Sequence, residues 1–230
     1  MIFHSAPQGS EAWLYARKGV ITGSRFKDAR SRLSDKTDKK TGEITRGGPS
    51  AKCLAYAHDV ARERMGGKPM DVYVNGAMRF GTEQEPLARM AYETTTGYLV
   101  EEVGFVTTDC RTFGLSLDGK IDGNGAVEIK TMVSSESLFA AVVDEDISEY
   151  EDQCNGALLF LNLDWIDLVL WTPDLEDQGL GLVITRIERD EAKMMELKAD
   201  LDAFAVLVDA FEEKLRNRAA ANLDLLKAAA

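Results

Sequence analysis

The sequence predicts one α/β domain. Apolar residues recur at helical spacing through much of 10–96, and three consecutive runs rich in β-branched and aromatic residues fill 98–132. Beyond 148 the pattern returns to helix, two strands and a last amphipathic helix. At 230 residues and 25.3 kDa the chain is long enough to bury a core of that kind as one unit, taken as 1–230.

Each element follows from local signals. Ser10 caps a short helix over 10–17, with Glu11, Trp13 and Leu14 in its first turns. A second helix is expected to start near Thr22 or Ser24. After a basic loop at about 25–49, Ser50 opens a helix carried by Leu54, Ala57, Val60, Ala61 and Met65 and stopped by Gly66-Gly67. A long helix is expected over 75–96, ended by Gly97. Strands are expected over 98–107, 112–121 and 126–132, then a helix over 148–162, strands over 165–172 and 180–187, and a helix over 189–217. The Ala-Leu-Lys tail to 230 either extends that C-terminal helix or frays. No internal repeat or long low-complexity segment interrupts the chain.

Composition excludes several chemistries. The two histidines, His4 and His58, and the scattered Cys53, Cys110 and Cys154 form no zinc or haem pattern. The cysteines read as small packed residues, and with no signal peptide they point to a reducing cytoplasm. No apolar run approaches the ~20 residues that span a bilayer, so no membrane is expected as a partner. The net charge is -12, yet 25–46 holds eight Lys or Arg against four Asp or Glu. Such a loop is a candidate DNA-facing lip for a phosphate backbone, and an ordinary solvated charged loop is the alternative. Acidity elsewhere would confine a polyanion to one channel.

The densest chemistry lies at 116–130. Gly123-Asn124-Gly125 is a hairpin turn signal, and a turn centred on Gly123 sets Asp118 opposite Glu128, each five positions away. Strand alternation then places Lys130 on the face of Glu128, with Val127 and Ile129 on the apolar side. Two facing carboxylates plus the Ile129 carbonyl make a hard oxygen site suited to Mg²⁺ or Mn²⁺. A lysine beside them can hold a water, which is what phosphodiester hydrolysis needs. The same three side chains also suit an ordinary cross-strand salt-bridge cluster.

Further blocks decide between these readings. The run from Trp13 through Arg17, Thr22 and Ser24, then Gly81-Thr82-Glu83-Gln84-Glu85, Asp118 to Lys130, Gln153 with Asn155, and Ile187-Glu188-Arg189-Asp190-Glu191 occur in order over about 10–215. Together they resemble the YqaJ-type viral recombinase nucleases, the family of lambda-exonuclease-like enzymes. The resemblance implies a restriction-endonuclease-like (PD-(D/E)XK) core, a central mixed sheet flanked by helices. The order of helices and strands around the hairpin is what such a core requires.

The resemblance also implies roles. Asp118, Glu128 and the Ile129 carbonyl would hold two Mg²⁺ ions per site, with Mn²⁺ able to substitute. Lys130 would serve the nucleophilic water, and Glu85 would support the metal site, where its alternative is helix-surface solvation. Arg17, Ser24 and Gln153, with Thr22 in addition, would hold a 5′-terminal phosphate, for which the arginine fork is suited. For Arg17 alone the alternative is a helix C-terminal charge. Met78 falls where the family places an apolar wedge at the end base pair, and helix core is its alternative.

The implied activity is 5′-to-3′ degradation of linear double-stranded DNA to mononucleotides, leaving 3′ overhangs for recombination. A ring-shaped homotrimer and a single-strand annealing protein as partner are implied with it. Two other readings use parts of the same pattern. A structure-specific or restriction-like endonuclease would not need the Arg17 pocket, and a non-catalytic end-binding recombination module would not need the acid pair and lysine. The chain departs from the family at Leu117, at Thr131-Met132 and at Asn155, which replaces a second glutamine.

Overall fold

The computed structural model describes residues 1–69 and 76–228. The helix start expected at Asn75 lies outside the described residues, as do the last two residues of the tail.

The N-terminal part contains β1 (Ile2–His4), α1 (Glu11–Arg17), β2 (Ile21–Thr22), a 3₁₀ turn over Gly23–Arg25, and α2 (Phe26–Arg30). A small hairpin follows, β3 (Lys36–Thr37) and β4 (Ile44–Thr45), then α3 (Ala51–Arg64) and α4 (Gly76–Thr96). The expected caps are present: the hydroxyls of Ser10 and Ser50 accept from the N–H groups of Trp13 and Cys53, both at 3.2 Å. The strand-rich middle contributes β5 (Val100–Glu101), β6 (Phe105–Thr107), β7 (Phe113–Ser116), β8 (Gly119–Ile121) and β9 (Gly125–Thr131). Then come α5 (Ser135–Leu138) running into a π turn over Phe139–Val143, α6 (Glu151–Leu161), β10 (Trp165–Trp171), β11 (Leu182–Glu188) and α7 (Glu191–Ala228).

Two mixed sheets carry the fold. The larger has the order β11-β10-β9-β8-β5, with β9 and β10 parallel and its other pairs antiparallel. The smaller has the order β1-β6-β7-β2, in which only β2 and β7 run parallel. Along β9 the side chains alternate. Val127 and Ile129 pack against Ala88 and Tyr92 of α4, while Ala126 joins the cluster containing Leu158 of α6 and Met194 of α7. The larger sheet therefore sits between α4 on one face and α6 with α7 on the other. A separate cluster around Phe26, Tyr56, Leu201 and Phe204 joins α2, α3 and α7.

Two expected strands are each divided. The run 98–107 splits into β5 and β6, and 112–121 splits into β7 and β8, with the halves in different sheets. Glycines allow both crossovers. A Cβ at Gly104 would lie 2.1 Å from the His4 carbonyl oxygen, and one at Gly119 would lie 2.0 Å from a Val100 methyl. Alternation through Phe113, Leu115, Leu117 and Ile121 continues across the second break and gave no sign of it, whereas at the first break the adjacent Glu101 and Glu102 interrupt the apolar pattern. The short strands β1 to β4 and the α5 segment also lay below the reach of pattern reading. The tail continues α7 as helix to Ala228, although residues 213–227 are all exposed.

Candidate active site

The hairpin has the register set by its turn. Gly119 pairs with Val127, Lys120 with Ala126 and Ile121 with Gly125, around a loop in which Gly123 and Asn124 have φ of 84° and 64°. Extending that register by one step brings Asp118 opposite Glu128. The ladder stops at Gly119, so Asp118 sits at the switch between the two sheets, where its Oδ2 accepts the Ile129 N–H at 2.6 Å.

Glu128 is 2% exposed, and its Oε1 accepts from Lys130 Nζ at 2.6 Å. Burial, then Asp118, pushes the Glu128 carboxyl up; burial also raises Asp118, opposed by Lys130. Burial alone would lower the Lys130 ammonium, but Glu128 and Asp118 raise it instead. Glu85 projects from α4, its Oε1 held by Arg89 Nη2 at 2.8 Å, while Arg89 also reaches Glu102. The Glu85 carboxyl is pushed up to about 7, by burial first and by Asp118 second. Gln84, its neighbour, accepts from the Trp171 indole N–H at 3.1 Å, which ties this stretch of α4 to the end of β10.

Three carboxylates thus act on one another across a partly dry site with one lysine among them. Such an excess of negative charge fits a divalent cation, and oxygen-only donors suit Mg²⁺. Among the described residues no three Asp, Glu, His or Cys side chains gather closely enough to chelate an ion unaided. A magnesium-type shell uses one or two carboxylates and completes itself with carbonyl and water oxygens, so the Ile129 carbonyl and solvent fit the remaining positions.

A second cluster surrounds Arg17 at the end of α1. Its guanidinium donates to the hydroxyls of Ser116 at 3.3 Å and Ser24 at 3.4 Å, and stacks 4.2 Å from the Trp13 ring centroid. Burial lowers its pKa from the ordinary arginine value, yet an arginine stays charged. Among the described residues no carboxylate makes an ion pair with it. Ser116 ends β7 two residues before Asp118, so the backbone position that Arg17 contacts lies within about 7 Å of the Asp118 backbone.

Other expected residues are placed differently. Gln153 on α6 donates to Glu128 Oε1 and accepts from Lys130 Nζ at 3.3 Å, so it stands with the carboxylates rather than with Arg17 and Ser24. Thr22 is buried, its hydroxyl and N–H facing Tyr56. Met78 is 45% exposed in the first turn of α4. In the basic segment, Arg30 and Arg46 are bonded to the buried Asp200 of α7, Arg25 to Asp28, and Lys27 to Glu149. Its lysines at 36, 39 and 40 are exposed on and around the β3–β4 hairpin. Sequence reasoning missed Ser116 and Arg89. The first is visible only once β7 is known to end beside Asp118, and the second was signalled by its i+4 spacing from Glu85.

A model of the YqaJ-like viral recombinase domain matches residues 12–160, from α1 through nearly all of α6. The chain belongs to this family. Among solved structures, the alkaline exonuclease LHK-Exo from Laribacter hongkongensis is 29% identical with a TM-score of 0.76, covering 92% of this chain and 98% of its own. The same protein in complex with dAMP matches at 30% identity. A phage-related exonuclease from Haemophilus somnus 129PT, 16% identical with a TM-score of 0.63, shares the fold. No curated protein matches the chain. The family assignment makes the protein a nuclease with DNA as substrate, and the fold restriction-endonuclease-like. No described helix is long and apolar enough to cross a membrane.

Proposed function

We propose that the protein is a Mg²⁺-dependent exonuclease that degrades the 5′-ended strand of linear double-stranded DNA to mononucleotides, leaving 3′ overhangs for recombination by strand annealing. The observation that carries this reading is the short path from the Arg17 cluster to the carboxylates. A cation flanked by two hydroxyls, two residues from Asp118, suits a terminal phosphate one nucleotide from the bond to be cut. The dAMP complex of LHK-Exo, itself an alkaline exonuclease, supports a mononucleotide product.

Arg17, Ser24 and Ser116 grip the terminal phosphate, and Thr22 shapes the pocket from behind. Met78, exposed at the start of α4, wedges against the end base pair. Asp118, Glu128 and the Ile129 carbonyl would hold two Mg²⁺ ions, or Mn²⁺, with Glu85 in support, which would supply charge neutralisation at the phosphate and a water of lowered pKa. Lys130 Nζ orients the attacking water by hydrogen bonding, while Glu128 and Gln153 fix that ammonium. The protein works in the cytoplasm as a homotrimeric ring alongside a single-strand annealing protein.

The test incubates the protein and Lys130→Ala with linear and closed circular duplexes and Mg²⁺, with light scattering on the same samples. Wild type should consume only linear DNA and scatter as a trimer, and the variant should lose at least ~10²-fold in rate. Cutting of closed circles would replace this reading with an endonuclease.

A further inference from the structure

We infer that Tyr56 is a positioning residue for the 5′-phosphate grip, fixing Ser24 from behind through Thr22 and Arg25, which flank it in the chain. The inference rests on the reading of Arg17, Ser24 and Ser116 as that grip.

Ser24 lies in a 3₁₀ turn of three residues that follows the two-residue edge strand β2. On one side β2 is anchored to the smaller sheet by its pairing with β7 and by Ile21 N–H donating to the Thr112 carbonyl at 2.9 Å. On the other side the Thr22 N–H donates to the Tyr56 hydroxyl at 2.8 Å, within the core. Buried backbone N–H groups need such a partner, and here a side chain of α3 supplies it. Arg25, the residue after Ser24, stacks its guanidinium 4.0 Å from the Tyr56 ring centroid and pairs with Asp28 and Asp59. Tyr56 itself is 4% exposed and stacked on Phe204 of α7, with ring centroids 5.1 Å apart. One rigid side chain thus holds Thr22 by its hydroxyl and Arg25 by its face. The exposed Ser24 hydroxyl between them is kept at the 3.4 Å that lets Arg17 reach it.

A residue that only supports the core and one that aligns the grip differ in what their loss does to end discrimination. The experiment compares initial rates on linear duplexes with 5′-phosphate and 5′-hydroxyl ends for wild type, Tyr56→Phe, Arg25→Gln and Phe204→Leu, with melting temperatures measured alongside. Wild type should prefer the phosphate. Tyr56→Phe should cut that preference about fivefold, the value of one hydrogen bond, through KM for phosphorylated ends with kcat kept. Arg25→Gln, at a more exposed site, should move it the same way. Phe204→Leu should lower the melting temperature while leaving the preference intact. Full preference in Tyr56→Phe, or an equal loss in Phe204→Leu, would overturn the proposal alone. A wild type indifferent to the end group would overturn the phosphate-grip reading and this inference together.

Discussion

Lys130 is charged because of the carboxylates it serves, and they tolerate burial partly because of it. That mutual dependence makes the site sensitive to pH. Glu85 titrates at about 7, above its ordinary value, through burial and then Asp118. The folded, metal-free protein therefore keeps protons that the unfolded chain has released. Since stability falls with pH wherever the folded state binds more protons, the metal-free protein should lose stability between pH ~4.3 and ~7. Cation binding displaces those protons, so stabilisation by Mn²⁺ should grow over the same interval and activity should rise from neutral into mildly alkaline conditions. Melting curves with and without Mn²⁺ at several pH values check this, and a Mn²⁺ effect greatest in acid would contradict it. At this scale the sequence was informative where side-chain alternation decides position. Asp118, Glu128 and Lys130 follow from a turn whose two left-handed residues suit glycine and asparagine. Gln153 and Ser116 depend instead on how α6 and β7 dock against the hairpin, and no local pattern encodes that.

Among elements, the switch between the two sheets at Asp118 places the site. An uninterrupted strand over 112–121 would have left Asp118 within one ladder, whereas the break frees its carboxylate to take the Ile129 N–H and brings Ser116 beside Arg17. Helices were the more legible elements because their caps and stops are local: Ser10, Ser50 and Gly97 mark boundaries within a residue or two. Two- and three-residue strands carry no such signal and exist only through their pairing. The basic segment is likewise defined by what it docks on. Asp200 of α7, 6% exposed, accepts from Arg30 at 3.0 Å and Arg46 at 2.9 Å, fastening both ends of the segment to the core. Asp200→Asn should cost about 2–3 kcal/mol, as expected for charge-assisted bonds at a buried acid. Urea unfolding measures it, and an unchanged midpoint would show that the segment is held by packing alone.

For the whole molecule, the charge pattern acquires a geometric meaning. A net charge of -12 repels DNA from most of the surface, while several arginines of the basic segment are spent on internal ion pairs. The cations of the candidate site itself are Arg17 in its pocket and Lys130 in the carboxylate cluster, while the lysines near the β3–β4 hairpin, with Lys68, Arg79 and Lys120 among others, are exposed elsewhere on the described surface. Such a protein should act on an end that enters the pocket rather than on duplex DNA at large. The most direct measurement of that claim follows the label from linear duplexes carrying a radioactive 5′-phosphate, or a labelled 3′ end, during the first seconds of Mg²⁺-dependent digestion. The account predicts that the 5′ label appears at once as a mononucleotide while the 3′ label stays on long strands. Release of the 5′ label in oligonucleotides, or earlier loss of the 3′ label, would contradict a phosphate grip set one nucleotide from the carboxylates.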